Sequence, residues 1–203
     1  SGLNGTSTNI TSSLTGGSIK GLLDMRDVEV ADIKDKLDRF AAGFIQEVNN
    51  IHQQGFAADG TTGNNFFTAP SVTVETNINN TGTATLAATN GNPSAILSDK
   101  FEITVTGSNT FTLNNLTTGV SAGSFSFTSG STFNLAGGFA VTISGSAAVG
   151  DSFKLSVSEN AAQTFSVSSD VASNSSKIAA GLTSSADGAN ALELIGLQSK
   201  LTF

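Results

Sequence analysis

The side chains able to do chemistry in this 203-residue chain are few and scattered. His52 is the only histidine, so no two-histidine metal site can form within one copy. It falls one turn before the end of an expected helix, where a cation or a packed imidazole is favoured, and a structural role follows. Asp24 and Asp27 stand three apart and would share a helix face as a carboxylate pair. With Arg26 between them, a solvated or interface-facing acidic turn is the better reading. Asp59-Gly60-Thr61-Thr62-Gly63-Asn64 opens like a calcium loop. It lacks acids or amides at its third and fifth positions and a closing Glu. Residues 145–150 are small, but they join two strands, where a phosphate cradle needs a strand and a helix. The acids Glu75, Asp99, Glu102, Asp151 and Glu159 show no paired spacing of the kind that acid–base hydrolysis needs. No GxSxG elbow, Walker loop or HExxH occurs. The sequence therefore offers no catalytic, cofactor-binding or metal-ligating residue, and the reading is a non-enzymatic protein with no cofactor.

Composition narrows the partners. A net charge of −7 and a pI near 4.4 argue against nucleic acid and against an anionic membrane surface. No apolar run approaches the roughly 18 residues that a membrane span needs. The absence of Cys removes disulfides, thiol catalysis and cysteine-based zinc sites together. Charged residues are only 12% of the chain, about half the usual share, while Thr, Asn and Gly abound, as in extracellular bacterial β surfaces.

About half of the charges lie between Ile19 and Gln54, and this stretch reads as one long amphipathic helix. Ser18 is placed to cap it. Leu23, Val30, Ile33, Leu37, Phe40 and Phe44 form an apolar stripe at spacings of three and four, which slips near Gly43 and resumes at Val48 and Ile51. Asp32 with Lys36 and Asp35 with Arg39 are acid-first pairs on the other face. Gly55 suits a left-handed cap, with Phe56 folding back on Ile51. At about 1.5 Å per residue the helix would be on the order of 55 Å long, too long to stand without helical partners. A second helix near the C-terminus has Asp187 or Asn190 as cap and Ala189, Leu192, Ile195 and Ser199 on its packing face.

Between the helices the period changes to two. Strands are expected at 72–76, 101–106, 110–113, 124–128, 133–135, 139–144, 152–158 and 164–167, separated by glycine turns. Short strands at about ten-residue spacing predict an antiparallel sandwich or barrel-like sheet with a Phe-rich core. Pro70 and the polar stretch 168–176 mark the crossings between helical and β parts. Neither end shows a natural start or stop, which suggests an excised middle of a longer protein.

Six motifs, in order, carry a family resemblance: GGSIKGLLDMRD (16–27), LDRFAAGFIQEVNNIHQQG (37–55), DGTTGNNFF (59–67), VGDSF (149–153), SSKIAAG (175–181) and DGANALELIGLQSK (187–200). Together they resemble the middle of the hook-associated protein 1 family, the flagellar hook–filament junction proteins. The stretch 72–144 carries no motif of that family, as suits a variable outer domain. The resemblance implies an α+β fold: a discontinuous helix-rich domain (1–68 and 168–203) with the long amphipathic helix, and an inserted antiparallel all-β domain (69–167). It implies a structural axial part of the bacterial flagellum that adapts hook to filament and serves motility. Such a part is secreted by type III export, extracellular, and assembled into a ring. Its implied partners are the hook protein, the second junction protein or filament-side subunits, and an export chaperone engaged through terminal coiled-coil segments absent here. Subunit packing is expected at Leu23, Asp24, Arg26, Asp27 and Val30. A β-rich adhesin or phage-tail-like module shares the composition but does not need the LDMRD helix; a secreted hydrolase needs a paired-acid cleft.

Overall fold

The computed structural model describes residues 14–92 and 97–199, and the chain divides between Leu37 and Asp38 into two compact units. The first unit holds the start of the long helix. Helix α1 (Gly17–Asp24) passes through a π-helical turn (Met25–Glu29) into α2 (Val30–Gln54). The expected cap at Ser18 is replaced by extended Gly16, which makes no side-chain cap bond. The π turn was not anticipated, since it contains neither Pro nor Gly. None of the described residues up to Leu37 is buried.

In the second unit, α2 buries Val48 and Ile51 as its apolar spacing suggests, but it also turns inward residues outside that stripe. Asp38, Ala41, Ala42, Ile45, Val48, Asn49, Ile51 and His52 are buried. The expected stripe is solvent-exposed through Val30, Ile33, Leu37 and Phe40, at 52–64%. Small and polar residues make the real contact because the neighbouring backbone comes close and offers N–H and C=O groups. Gly55 is also not a left-handed cap. A Cβ there would lie 2.2 Å from Asn190 Nδ2, so the glycine is required by close approach. Phe56, instead of folding on Ile51, exchanges backbone hydrogen bonds with Gly181, at 2.7 and 3.1 Å.

Among the described residues the β body has eight strands in two antiparallel sheets: β1 (Thr73–Thr76), β2 (Thr85–Asn90), β3 (Phe101–Gly107), β4 (Thr110–Asn115), β5 (Ser121–Ser126), β6 (Thr132–Asn134), β7 (Phe139–Ser144) and β8 (Ser152–Ser156). The orders are β1-β8-β3-β4-β5 and β2-β7-β6. Strands β3 and β7 show the inward alternation that the sequence predicts. Their Phe101, Ile103, Phe139, Val141 and Ile143 join Phe111, Leu113, Phe153 and Leu155 in one core shared by both sheets. Strand β2 was missed because TLAATN is small and polar; it pairs with β7 along its whole length. Strand β5 begins three residues before its expected place, and the expected strand at 164–167 is only a bridge between Val167 and Phe67.

The polar stretch after the sheets is not a bare linker. Ser168 caps α3 (Ser169–Ser173), which is followed by a 3₁₀ turn (Ser175–Lys177). Helix α4 (Ala189–Gly196) then leads into a second 3₁₀ turn (Leu197–Ser199). Its inward residues are Asn190 and Leu197, with Leu194 partly covered, while Leu192 and Ile195 are exposed. Asn190 is no cap: its Nδ2 donates to Ala179 O at 2.7 Å. Asp187 accepts the Ala189 N–H at 3.0 Å from just outside the helix.

Candidate packing interface

Within the first unit, the residues expected to pack subunits lie around the π turn. Leu23 is half-buried, while Asp24, Arg26, Asp27 and Val30 are exposed. Asp24 pairs with Lys20 one turn earlier. Arg26 lies along Asp27, its Nε donating to Oδ1 at 2.5 Å and its Nη2 to Oδ2 at 2.8 Å. That fork lowers the Asp27 carboxyl and raises the Arg26 guanidinium from their ordinary values. The two acids therefore serve two different cations. Around them Ile19, Leu22, Met25, Val28, Val30, Ile33 and Leu37 are all more than half exposed. Apolar side chains at this density on one helix mark a surface that expects covering.

The second unit carries its own apolar groove of about 600 Å³ between α2 and α4, lined by Phe40, Phe44, Phe66, Phe67, Leu194 and Leu197 among others. Its floor is an aromatic cluster: Phe44, Phe66, Phe67 and Phe165 meet with ring centroids 4.6–6.1 Å apart. Asn49 holds this floor in place. Its Oδ1 accepts the Phe67 N–H at 2.8 Å and its Nδ2 donates to Phe67 O at 3.0 Å.

His52 has the structural role that the sequence assigns it. It is fully buried, edge-on to Phe66. Its Nε2 accepts the Ala179 N–H at 2.8 Å, which leaves Nδ1 to donate to Asn64 O at 2.7 Å. One imidazole thus joins α2 to segments on both sides of the β body. The calcium-like loop is closed by its own protein groups. Asp59 Oδ1 accepts the Thr61 hydroxyl at 2.6 Å and backbone N–H at 3.0 Å, and Lys177 lies 3.3 Å from Oδ2. Those bonds, Thr61 first, hold its carboxyl below the ordinary value. Among the described residues no group of three or more His, Asp or Glu is placed to hold a metal ion, and no helix is long and apolar enough to cross a membrane.

Sequence reasoning missed the buried polar joints Asp38, Asn49 and Asn190. The only available signal was a polar residue at an inward helical position beside Ala41, Ala42 and Ile45.

The chain combines a long helix bearing exposed apolar residues with an antiparallel β body. Residues 2–67 match the family described as the flagellar hook-associated protein FlgK helical domain. Flagellar hook-associated protein 1 of Escherichia coli K12 is 31% identical over 90 residues, covering 44% of this chain and 16% of that protein. The structure of the flagellar hook junction protein FlgK from Burkholderia pseudomallei matches at TM-score 0.63 and 29% identity, over 84% of this chain and 30% of that one. FlgL from Xanthomonas campestris matches 43% of this chain and 28% of that chain at 28% identity, with a TM-score of 0.39. The chain thus spans under a third of the relatives it resembles. Together the first three findings support a fragment of flagellar hook-associated protein 1, with an α+β fold like that of FlgK.

Proposed function

We propose that this chain is the middle of a non-enzymatic structural component of the bacterial flagellum, which in its whole protein joins hook to filament and adapts their mechanics. The observation that carries the reading is the row of uncovered apolar residues, from Ile19 to Leu37, on the helix that matches the FlgK helical domain. Such a row is stable in water only when a neighbouring element covers it. Leu23, Asp24, Arg26, Asp27 and Val30 are the packing residues. The paired charges set register, and the apolar members supply the burial. The partners are the hook protein on one side and the second junction protein or filament-side subunits on the other. In the whole protein the subunits close into a ring, are exported by the type III route with a chaperone, and work outside the cell. The helical part is discontinuous, 1–68 with 168–203, and residues 69–167 form an inserted body. The chain has no Cys, so single cysteines at Leu23, Val30 and, as a control, Thr128 can carry a photo-crosslinker in the whole flagellar protein. In isolated hook–filament preparations, positions 23 and 30 should give adducts with axial subunits and position 128 should give few. Adducts confined to position 128 would point to an outward-binding module and sink the proposal.

A further inference from the structure

The β body meets α2 along the face from Asp38 to Asn49, and two of the contacts are well separated along the helix. The first is a ribbon. Phe67 and Val167 bridge, Thr68 N–H donates to Ser166 O at 2.9 Å, and Asn49 grips Phe67 from the helix. A two-stranded ribbon of this kind resists pulling but not tilting. The second place is Asp38 and Arg39, eleven residues or about 16 Å up the helix from Asn49.

Asp38 is 3% exposed, and its carboxylate accepts the N–H groups of Ala162 at 2.9 Å and Asn160 at 3.3 Å. The loop that offers them follows β8. It turns at Asn160, whose φ of 58° is the only positive value among described residues other than glycine. Backbone N–H groups converging at a left-handed residue form a small nest for an anion, here filled by a side chain of the helix. The apolar contact beside it is slight: Ala41, Ala42 and Ala161, with Ala162 partly buried against them. The next residue reaches the neighbouring strand. Arg39 Nη2 lies 3.5 Å from Asp99 Oδ1, and Asp99 is held by Asn115 Nδ2 at 2.8 Å. Asp99 precedes β3, and β3 and β8 are adjacent, with Phe101 opposite Leu155. Consecutive helix residues of opposite charge therefore hold the near ends of two paired strands.

We infer that Asp38 and Arg39 are positioning residues: a two-point clamp that fixes the tilt of the β body on the helix against the ribbon at Phe67. Without it the ribbon acts as a hinge, and with it a side load on the β body passes into the rod. This rests on the proposed division into a helical part and an inserted body, but not on the identity of any partner.

The test uses cysteines at exposed Gln54 and Thr128, spin-labelled, with the distance distribution measured by pulsed electron resonance. The parent chain should give one narrow distribution. Asp38→Ala with Arg39→Ala should lose it, giving a broadened or shifted distribution, while helical content and a cooperative melt persist. Asp38→Asn alone, which keeps one acceptor oxygen, should give a smaller broadening. A distribution unchanged in width and position in the double variant would overturn the clamp. So would loss of cooperative folding in both variants, because Asp38 would then belong to the folding core and not to a joint between two bodies. If the division itself is wrong, a chain lacking the β body fails to fold, a result separate from these distances.

Discussion

At the scale of residues, the chain is held by backbone-directed polar side chains more than by ion pairs. Asn49→Ala would strip both backbone hydrogen bonds from Phe67 and leave its N–H and C=O partly buried without them. The expected cost is about 1–3 kcal/mol, read from chemical denaturation. Gly55→Ala should cost about 1–3 kcal/mol, because the new methyl would press on buried Asn190 and on Gly181 O. Gly188→Ala has open space and a φ of −108°, so it should change stability by less than about 0.5 kcal/mol; equal midpoints would remove the close-approach argument. Asp187 receives the N–H groups of Leu182, Ala189, Thr183 and Ser184 and holds its carboxyl far below the ordinary value. Asp151 is lowered in the same sense by Ala148, Thr81 and Gly82. A group depressed on folding stabilises above its unfolded value near 3.9, and that contribution fades as pH falls through the lower folded value. Acid should therefore weaken the fold below about pH 4, and Asp187→Asn should flatten that limb of a pH-dependent denaturation series. Asp187 was legible as a cap of α4, but Asn49 was not, since an Asn on a helix gives no sign of which backbone it will meet.

At the scale of elements, the long helix was legible in extent and, at Val48 and Ile51, in orientation, but not further up. Counting apolar residues at helical spacing found Leu37 and Phe40, yet both are more than half exposed in this chain, while Ile45 is 2% exposed. Leu37→Ala should accordingly cost under about 1 kcal/mol and Ile45→Ala about 2–5 kcal/mol. Denaturation midpoints in the opposite order would put the stripe back in the core. The rule failed because a periodic apolar face says that something covers it, not that the same chain does. The strands were read better where Phe, Ile and Val alternate, as in β3 and β7. They were read worse where Thr, Ala and Ser fill an edge, as in β2 and β5. An edge strand needs only half its surface buried, so its composition is weakly constrained.

At the scale of the molecule, the two larger of the three apolar clusters among the described residues are separate. One lies inside the sheets around Phe111 and Phe153, and the other links Val48 and Ile51 to Leu197. Phe153→Ala should cost about 3–5 kcal/mol and act on the sheets. Removing residues 69–166 behind a short Gly/Ser bridge should leave the helical part folded, because His52, Asn190, Phe56 and Gly181 all make their bonds outside the excision. Circular dichroism with little helix and no cooperative melt would show that the helix depends on the β body. Topology was the least legible level. That β1 pairs with β8, and β2 with β7, depends on contacts between residues far apart in the sequence, about which local spacing is silent.

The π turn at Met25–Glu29 has a consequence for packing. Such a turn carries one residue more than the helix needs, and one residue of α-helix corresponds to a rotation of about 100°. It works as a vernier. The azimuth of Ile19 and Leu22 is offset from that of Val30 and Ile33 by a step that can be added or removed without touching any buried contact. Deleting Val28 should let the segment relax into plain α-helix. It should swing the upstream residues by about a quarter turn and leave the thermal midpoint of the second unit unchanged. If the packing of neighbours on this helix depends on that azimuth, one residue in an exposed turn is enough to change which of its side chains they meet.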